Sequence, residues 1–258
     1  MSAFSASDEK VERAERKVRD LKTSINRFLG DNLYSRIESD FDGHHIVAGI
    51  RQPIDPDIKF EVVEAVGHLR SALDKMIAAL VRDNSRGGSG AQFPFGGLGD
   101  DGKPQPFPTS RHDGIKKKIT PEQWTLILAQ KPYPGGNDTL WSVNTVANSD
   151  KHGTELVTVF PTATTNPEFT EPITVGVNFE KFVWHGANNS MLGKDKMEAR
   201  IFTHGLGNKF DVKHKVTGRV IFSKVAPVHG KDVLETLDAQ IRLVKGVLKD
   251  FSPTLKVP

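Results

Sequence analysis

Long amphipathic helices at the two ends of the chain and in its first third are the strongest constraint on the fold. In segment 7–29 apolar residues recur every three or four positions, which places them on one helical stripe. Segments 58–82 and 233–251 carry similar stripes. Because an apolar stripe must be buried against another element, the pattern predicts a helical bundle in which the first and last helices pack together.

Shorter elements are predicted between these helices. Proline and glycine residues mark the ends of two predicted helices, at 121–130 and 138–152. A hairpin is predicted at 34–50, and the Gly- and Pro-rich residues 84–114 predict a long surface loop. Short segments rich in Val, Ile, Phe and Thr predict one antiparallel sheet in the second half, at 155–160, 173–179, 181–185, 198–203 and 213–225.

These elements predict an α+β fold. It consists of a bundle of about four to five helices with an antiparallel sheet contributed mainly by the second half of the chain. We expect a single domain over residues 1–258. The alternative is a division into a mainly helical part, 1–153, and a part at 154–258 that is mainly β with a C-terminal helix.

Composition limits the compartment and the partners. The chain has no cysteine, which excludes disulfides and thiolate metal sites. It has no signal-like N-terminus and no apolar run of the roughly 20 residues that span a bilayer, so we expect a cytoplasmic protein without a membrane partner. A net charge of +3 allows a nucleic-acid partner without requiring one. The first helix could also form a coiled-coil homodimer. The sequence predicts no metal site and does not identify a cofactor.

Segment 138–153 carries a polar stripe on its predicted helix. Trp141, Asn144, Asn148 and His152 are spaced three or four residues apart and share one arc. Asn is a poor helix former, so the stripe needs a compensating role. Three interpretations remain: a hydrogen-bonded packing seam, a capping network at the helix end, or a pocket wall in which His152 acts as acid, base or ligand.

Arg70 lies inside the wide apolar arc of the helix predicted at 58–82. An unpaired buried guanidinium would cost several kcal/mol, so a carboxylate partner is expected. Asp74 follows one turn later, and Asp150 lies at the margin of another apolar arc. We therefore predict a buried cluster of these charges. Arg70 and His152 are the candidate catalytic residues, and the candidate binding residues are Asp74, Asn144, Asn148, Asp150 and Lys151.

Three stretches give the chain a resemblance to an uncharacterised family of bacterial proteins. They are HLRSALDK from His68, QFPF from Gln92, and KPYPGGNDTLWSVNTVANSDKHG from Lys131. The family carries an LRSALDH-like helix, a short FP-containing segment and a helix that ends in an N-x-DKHR-like motif. Lys75 and Gly153 depart from the His and Arg that are frequent there. The resemblance covers about residues 58–155 and implies a shared fold rather than an activity.

A looser similarity is to HEPN helical-bundle ribonucleases, in which an Arg is followed four to six residues later by His. Arg70 could begin such a motif, but Lys75 occupies the position of the His. A Lys exchanges protons near neutral pH only if its pKa is strongly lowered. A ribonuclease mechanism therefore requires His152 or His68 to replace that His in space.

Three functional hypotheses follow. The first is a hydrolase acting on RNA or another phosphodiester, with Arg70 and His152 central and the basic run of Arg111 and 116–118 guiding the substrate. The second is a small-ligand-binding module that uses the polar stripe as its floor and 84–114 as a lid. The third is a structural or interaction protein whose polar clusters specify packing.

Overall fold

The computed structural model describes residues 4–40, 43–84, 90–99, 101–149, 156–165, 197–204 and 214–255. Within these ranges the helices are α1 (Ser5–Asn32), α2 (Pro56–Asp83), α3 (Asp113–Lys116), α4 (Pro121–Gln130), α5 (Asp138–Ser149) and α6 (Val233–Phe251). The strands are β1 (Leu33–Asp40), β2 (Gly43–Ile50), β3 (Val157–Thr165), β4 (Met197–His204) and β5 (His214–Phe222). Single turns of 3₁₀ helix occupy Ser110–His112 and Ser252–Thr254. The predicted α+β class is confirmed.

Local side chains explain several helix ends. Thr120 caps α4 by accepting the N–H of Gln123 at 3.1 Å, and the Gln123 amide oxygen accepts the Thr120 N–H at 3.0 Å. Asp232 caps α6 by accepting the N–H of Glu235 at 3.0 Å. At the other end of the chain, α1 continues beyond its predicted end at residue 29 and stops at Asn32.

Contacts within the chain divide it into two compact units. The first comprises Met1–Lys22, Pro56–Val157 and Phe222–Pro258, and the second comprises Thr23–Asp55 and Thr158–Ile221. Neither unit is a continuous half of the sequence.

The core of the first unit is centred on α2. This helix packs against α5 and α6, which also contact each other, and α4 packs on α6. Six large side chains of α2 are fully buried: Ile58, Leu69, Leu73, Met76, Ile77 and Leu80. Because each buried Leu or Met contributes roughly 1.5–3 kcal/mol, this face of α2 is a major source of stability.

Helix α1 lies beside α2 and α6. Lys17 pairs with Glu64 of α2 at 2.7 Å, and Lys245 of α6 pairs with Glu15 at 2.6 Å. The predicted packing of the first helix on the last is confirmed. The apolar stripe of α1 is buried within the chain at Val11, Ala14, Val18 and Leu21. This burial favours the intramolecular bundle over a coiled-coil homodimer.

None of the helices in the described ranges combines the length and hydropathy needed to cross a membrane.

The second unit contains two sheets. A three-stranded antiparallel sheet has the order β1-β2-β4, and β3 pairs with β5 in the other sheet. The prediction of one sheet from 155–225 is wrong. Strand β4 pairs with β2 of the early hairpin and not with β3 or β5. Strand periodicity identifies which residues alternate but not which edge they join. The strands predicted at 173–179 and 181–185 lie outside the described residues.

The expectation of a surface loop over residues 84–114 is wrong for its middle. Phe93 and Phe95 are only 2% and 6% exposed. The Gly96 N–H donates to the Pro132 carbonyl at 2.8 Å, and a Cβ built on Gly96 would lie 2.4 Å from the Cβ of Tyr133. Tertiary contacts therefore bury a segment whose Gly and Pro content indicates exposure. We call Phe93–Phe95 the FPF segment.

Gly96→Ala should lower the free energy of unfolding by about 1–3 kcal/mol or more, because the added methyl group meets the backbone and Cβ of Tyr133. Gly97→Ala is the matched control, since its Cβ would meet only the Arg111 guanidinium at an ordinary 3.5 Å. Thermal and urea unfolding of both variants checks this. Equal stability of the two variants would contradict the tight packing.

Candidate functional site

The candidate site begins on α2, where Arg70 and Asp74 lie one helical turn apart. The Nε of Arg70 is 3.4 Å from Oδ1 of Asp74. Their side chains are 19% and 26% exposed, so both are largely buried. The predicted burial and pairing of Arg70 with Asp74 are confirmed.

Helix α5 supplies the next contact. Nη1 of Arg70 donates to Oδ1 of Asn144, and the same oxygen accepts a hydrogen bond from Nδ2 of Asn148 at 3.1 Å. The two asparagines are four residues apart, so they stack along the side of α5 that meets α2. The polar stripe predicted on this helix therefore reaches Arg70.

The FPF segment covers the third side of the pair. The N–H of Phe93 donates to Oδ1 of Asp74 at 2.8 Å, so this carboxylate oxygen is shared by Phe93 and Arg70. The Cζ of Arg70 lies 4.6 Å from the centroid of the Phe95 ring, within the range of a cation–π contact. The rings of Phe93 and Phe95 contact each other at 4.9 Å between centroids.

The three sequence stretches that carry the family resemblance therefore meet at one guanidinium. Arg70 comes from the first stretch, Phe95 from the second and Asn144 from the third. Asp150, Lys151 and His152 lie outside the described residues, which reach Ser149 at this end of α5. Their proposed roles stay predictions.

Sequence reasoning missed the residues that hold the FPF segment. The Phe95 carbonyl accepts hydrogen bonds from Nη2 of Arg111 at 2.8 Å and from Nε2 of His112 at 3.2 Å. Phe107 packs on the His112 ring at 5.0 Å between centroids. The Phe-Pro-Phe pattern itself could have predicted that this segment is buried, because two large aromatic residues are rarely both exposed to water.

His112 is a buried neutral histidine. Its Nδ1 accepts the Thr109 N–H at 2.9 Å, so Nε2 carries the proton that is donated to Phe95. Burial lowers the pKa of His112 below its usual value; the bond to the Phe95 carbonyl opposes this, and the charge of Arg111 adds to it. Both ring nitrogens are occupied, which gives His112 a structural role.

His68 does not replace the missing HEPN histidine. It lies two residues before Arg70, so it projects about 200° away around α2. Burial lowers the pKa of His68, and the charges of Lys10 and Arg13 on α1 lower it further. His68 thus faces α1, whereas Arg70 faces α5.

Two depressions lie away from the Arg70 cluster. A depression of about 610 Å³ lies along the start of α1 beside Lys245, and one of about 420 Å³ lies on α6 beside Gln130 and Thr139. The described part of the chain also contains no group of acidic and histidine side chains that could hold a metal ion. The arrangement of Arg70 suits contact with an anion at the protein surface.

Comparisons of the chain with known proteins found no matching family model, no matching curated protein and no matching solved structure. The resemblance to the uncharacterised bacterial family therefore stays a prediction.

Arg70→Met should lower the free energy of unfolding by about 1–3 kcal/mol, because the Asp74 carboxylate and the Asn144 oxygen each lose a charged donor. Adding Asp74→Asn should recover part of this loss, since the buried charge is then removed. Chemical denaturation of the two single variants and the double variant measures the coupling. Unchanged stability of Arg70→Met would identify Arg70 as an ordinary surface residue.

The free energy of unfolding should fall as the pH drops from about 7 to about 5. The pKa of His112 is lower in the folded chain, so the unfolded chain takes up the proton first, near the usual histidine pKa of about 6.5. The same sign holds for His68. His112→Asn keeps an acceptor for Thr109 but does not titrate, so its stability should depend less steeply on pH. An unchanged slope would contradict the assignment.

Proposed function

We propose that the chain recognises phosphate groups and acts as a hydrolase on RNA or another phosphodiester. Arg70 would be the phosphate-binding cation, and His152 would exchange the proton. A cytoplasmic location, which the sequence predicts, suits such a substrate. The weakly basic composition supports an anionic partner.

One observation carries the proposal: the guanidinium of Arg70 is fixed from three directions and still partly exposed. Asp74 holds Nε, Asn144 holds Nη1 and the Phe95 ring supports the planar face. Among the described residues, Nη2 makes no hydrogen bond. An Arg that is already oriented loses little side-chain entropy when it binds an oxyanion, and its planar donors match phosphate geometry.

His152 would provide the proton transfer. It follows the Asn144–Asn148 stripe at helical spacing, so continuation of the helical arc would carry it toward the same side as these asparagines. In RNA, His152 would accept the proton of the attacking 2′-hydroxyl. The 2′-oxygen then bonds to phosphorus while the bond to the 5′-oxygen breaks, and the 5′-oxygen takes a proton from water. Arg70 would stabilise the charge that develops on the phosphate oxygens. Asp150 and Lys151, next to His152, would bind or orient the substrate.

A second candidate is a small-ligand-binding or structural role. It is favoured by the internal contacts of Arg70, since Asp74, Asn144 and Phe95 hold the guanidinium in place without a ligand. In that case the polar stripe would specify the packing of α2 on α5.

His152→Gln should abolish RNA cleavage and preserve the fold, because Gln cannot exchange a proton near pH 7. The assay incubates each protein with structured and single-stranded RNA, with and without magnesium, and follows product formation on gels. His229→Gln, which changes an exposed histidine at a distant sequence position, is the matched control and should keep wild-type activity.

Arg70→Lys extends the same assay. It keeps the positive charge but loses the planar guanidinium. Cleavage should therefore fall at least tenfold if Arg70 binds the phosphate through two hydrogen bonds at once. Intact RNA with well-folded wild-type protein would overturn the hydrolase proposal and favour the second candidate. Cleavage that His152→Gln leaves unchanged would overturn the assignment of the proton-exchanging residue.

A further inference from the structure

A second cluster of aromatic and basic side chains lies at the open end of the β1–β2 hairpin, within the second unit. Tyr34 is the second residue of β1, and Arg51 follows directly after β2. The antiparallel register pairs Leu33 with Ile50, which brings Arg51 beside the start of β1. Arg36 lies two residues after Tyr34, on the same face of the strand.

Two guanidinium groups converge on the Tyr34 ring. The Cζ atoms of Arg36 and Arg51 lie 5.8 Å and 6.0 Å from the ring centroid. Nη1 of Arg36 also donates to the Tyr34 hydroxyl at 3.3 Å. Tyr34 and Arg36 are half-buried and Arg51 is exposed, so solvent reaches the cluster.

The fold accounts for part of the placement of Arg51. The backbone N–H of Arg51 donates to the Asn32 carbonyl at 2.9 Å, and its Nη1 donates to the Asp31 carbonyl at 3.4 Å. These bonds fix the C-terminal end of α1, where a positive charge is favourable. They use one of the five guanidinium N–H groups. Within the described ranges, no carboxylate lies at ion-pair distance from Arg51.

We propose that Tyr34, Arg36 and Arg51 form a binding site for single-stranded nucleic acid. A base would stack with the Tyr34 ring, and the two guanidinium groups would contact the phosphates on its two sides. Single-strand binding proteins combine these features, because every base has a stacking face and every linkage carries a charge. Duplexes keep their bases stacked inside the helix, so an aromatic side chain reaches a base face there only at the cost of unstacking it.

The aromatic ring separates this proposal from general attraction of anions. A lipid surface or an acidic peptide would use the charges of Arg36 and Arg51, but it would not need the π face of Tyr34. The site also shares no residue with the Arg70 cluster. It requires no cleavage, so it is independent of the proposed hydrolase activity.

Binding to a fluorescein-labelled 12-nucleotide oligo(dT) tests the site in the full-length protein. The probe has bases and phosphates but no 2′-hydroxyl, so a ribonuclease cannot cleave it by 2′-oxygen attack. Fluorescence anisotropy at several salt concentrations gives Kd and its salt dependence. Thermal melting of each variant verifies that the protein is folded.

Tyr34→Leu should weaken binding about fivefold to 150-fold, the range expected from base–aromatic stacking. Tyr34→Phe keeps the ring and should stay within about twofold of the wild type. Arg51→Gln should weaken binding and reduce the slope of log K against log salt by about 0.7, as for the loss of one phosphate contact. Arg242→Gln, which changes an exposed arginine of α6, is the charge-matched control and should have little effect.

The proposal is overturned if Tyr34→Leu binds oligo(dT) as tightly as Tyr34→Phe does. It is also overturned if a duplex of equal length or phosphatidylserine vesicles bind as well as oligo(dT), since either result would indicate charge attraction alone. If the protein binds oligo(dT) but does not cleave RNA, only the proposed hydrolase activity is overturned. If it cleaves RNA but does not bind oligo(dT), only this binding site is overturned.

Discussion

The placement of one partly buried guanidinium organises the first unit. Arg70 projects from the buried face of α2, where a charge without partners would be too costly to keep. Its partners come from three parts of the sequence: Asp74 from the same helix, Asn144 from α5 and Phe95 from the FPF segment. A charged hydrogen bond contributes about 1.5–3 kcal/mol and a cation–π contact about 0.5–2 kcal/mol. One side chain therefore links α2, α5 and the FPF segment.

The FPF segment connects Arg70 to Arg111 and His112. Phe95 supports Arg70 with its ring and accepts hydrogen bonds from Arg111 and His112 with its carbonyl. Gly96 lies directly against Tyr133, because it has no side chain to separate the two backbones. The rigidity that stabilises this cluster is also what an anion-binding site requires, since oriented donors need not be ordered when the ligand arrives. A structural role and a binding role for Arg70 are therefore compatible.

Several features of the site could be predicted from the sequence. Helical periodicity identified the face of α2 that carries Arg70, and the same geometry placed Asn144 and Asn148 on one arc of α5. The need to neutralise a buried Arg predicted its pairing with Asp74. The roles of Phe95, Arg111 and His112 could not be predicted, because the Gly- and Pro-rich composition around them has no periodicity and their burial depends on residues distant in sequence. The pairing of β4 could not be predicted for the same reason. Alternation identified β4 as a strand, but its partner β2 lies some 150 residues earlier.

The sequence by itself determined which segments form the long helices, which of their faces are buried, and that Arg70 must find a partner. These properties depend on neighbours within a few turns, which the chain encodes locally. The tertiary structure decided that the middle of an expected loop becomes part of the core, that the early hairpin shares a sheet with β4, and that the guanidinium groups of Arg36 and Arg51 both approach the Tyr34 ring. Each of these outcomes depends on contacts between distant segments, and their free energies are settled only when the whole chain packs together.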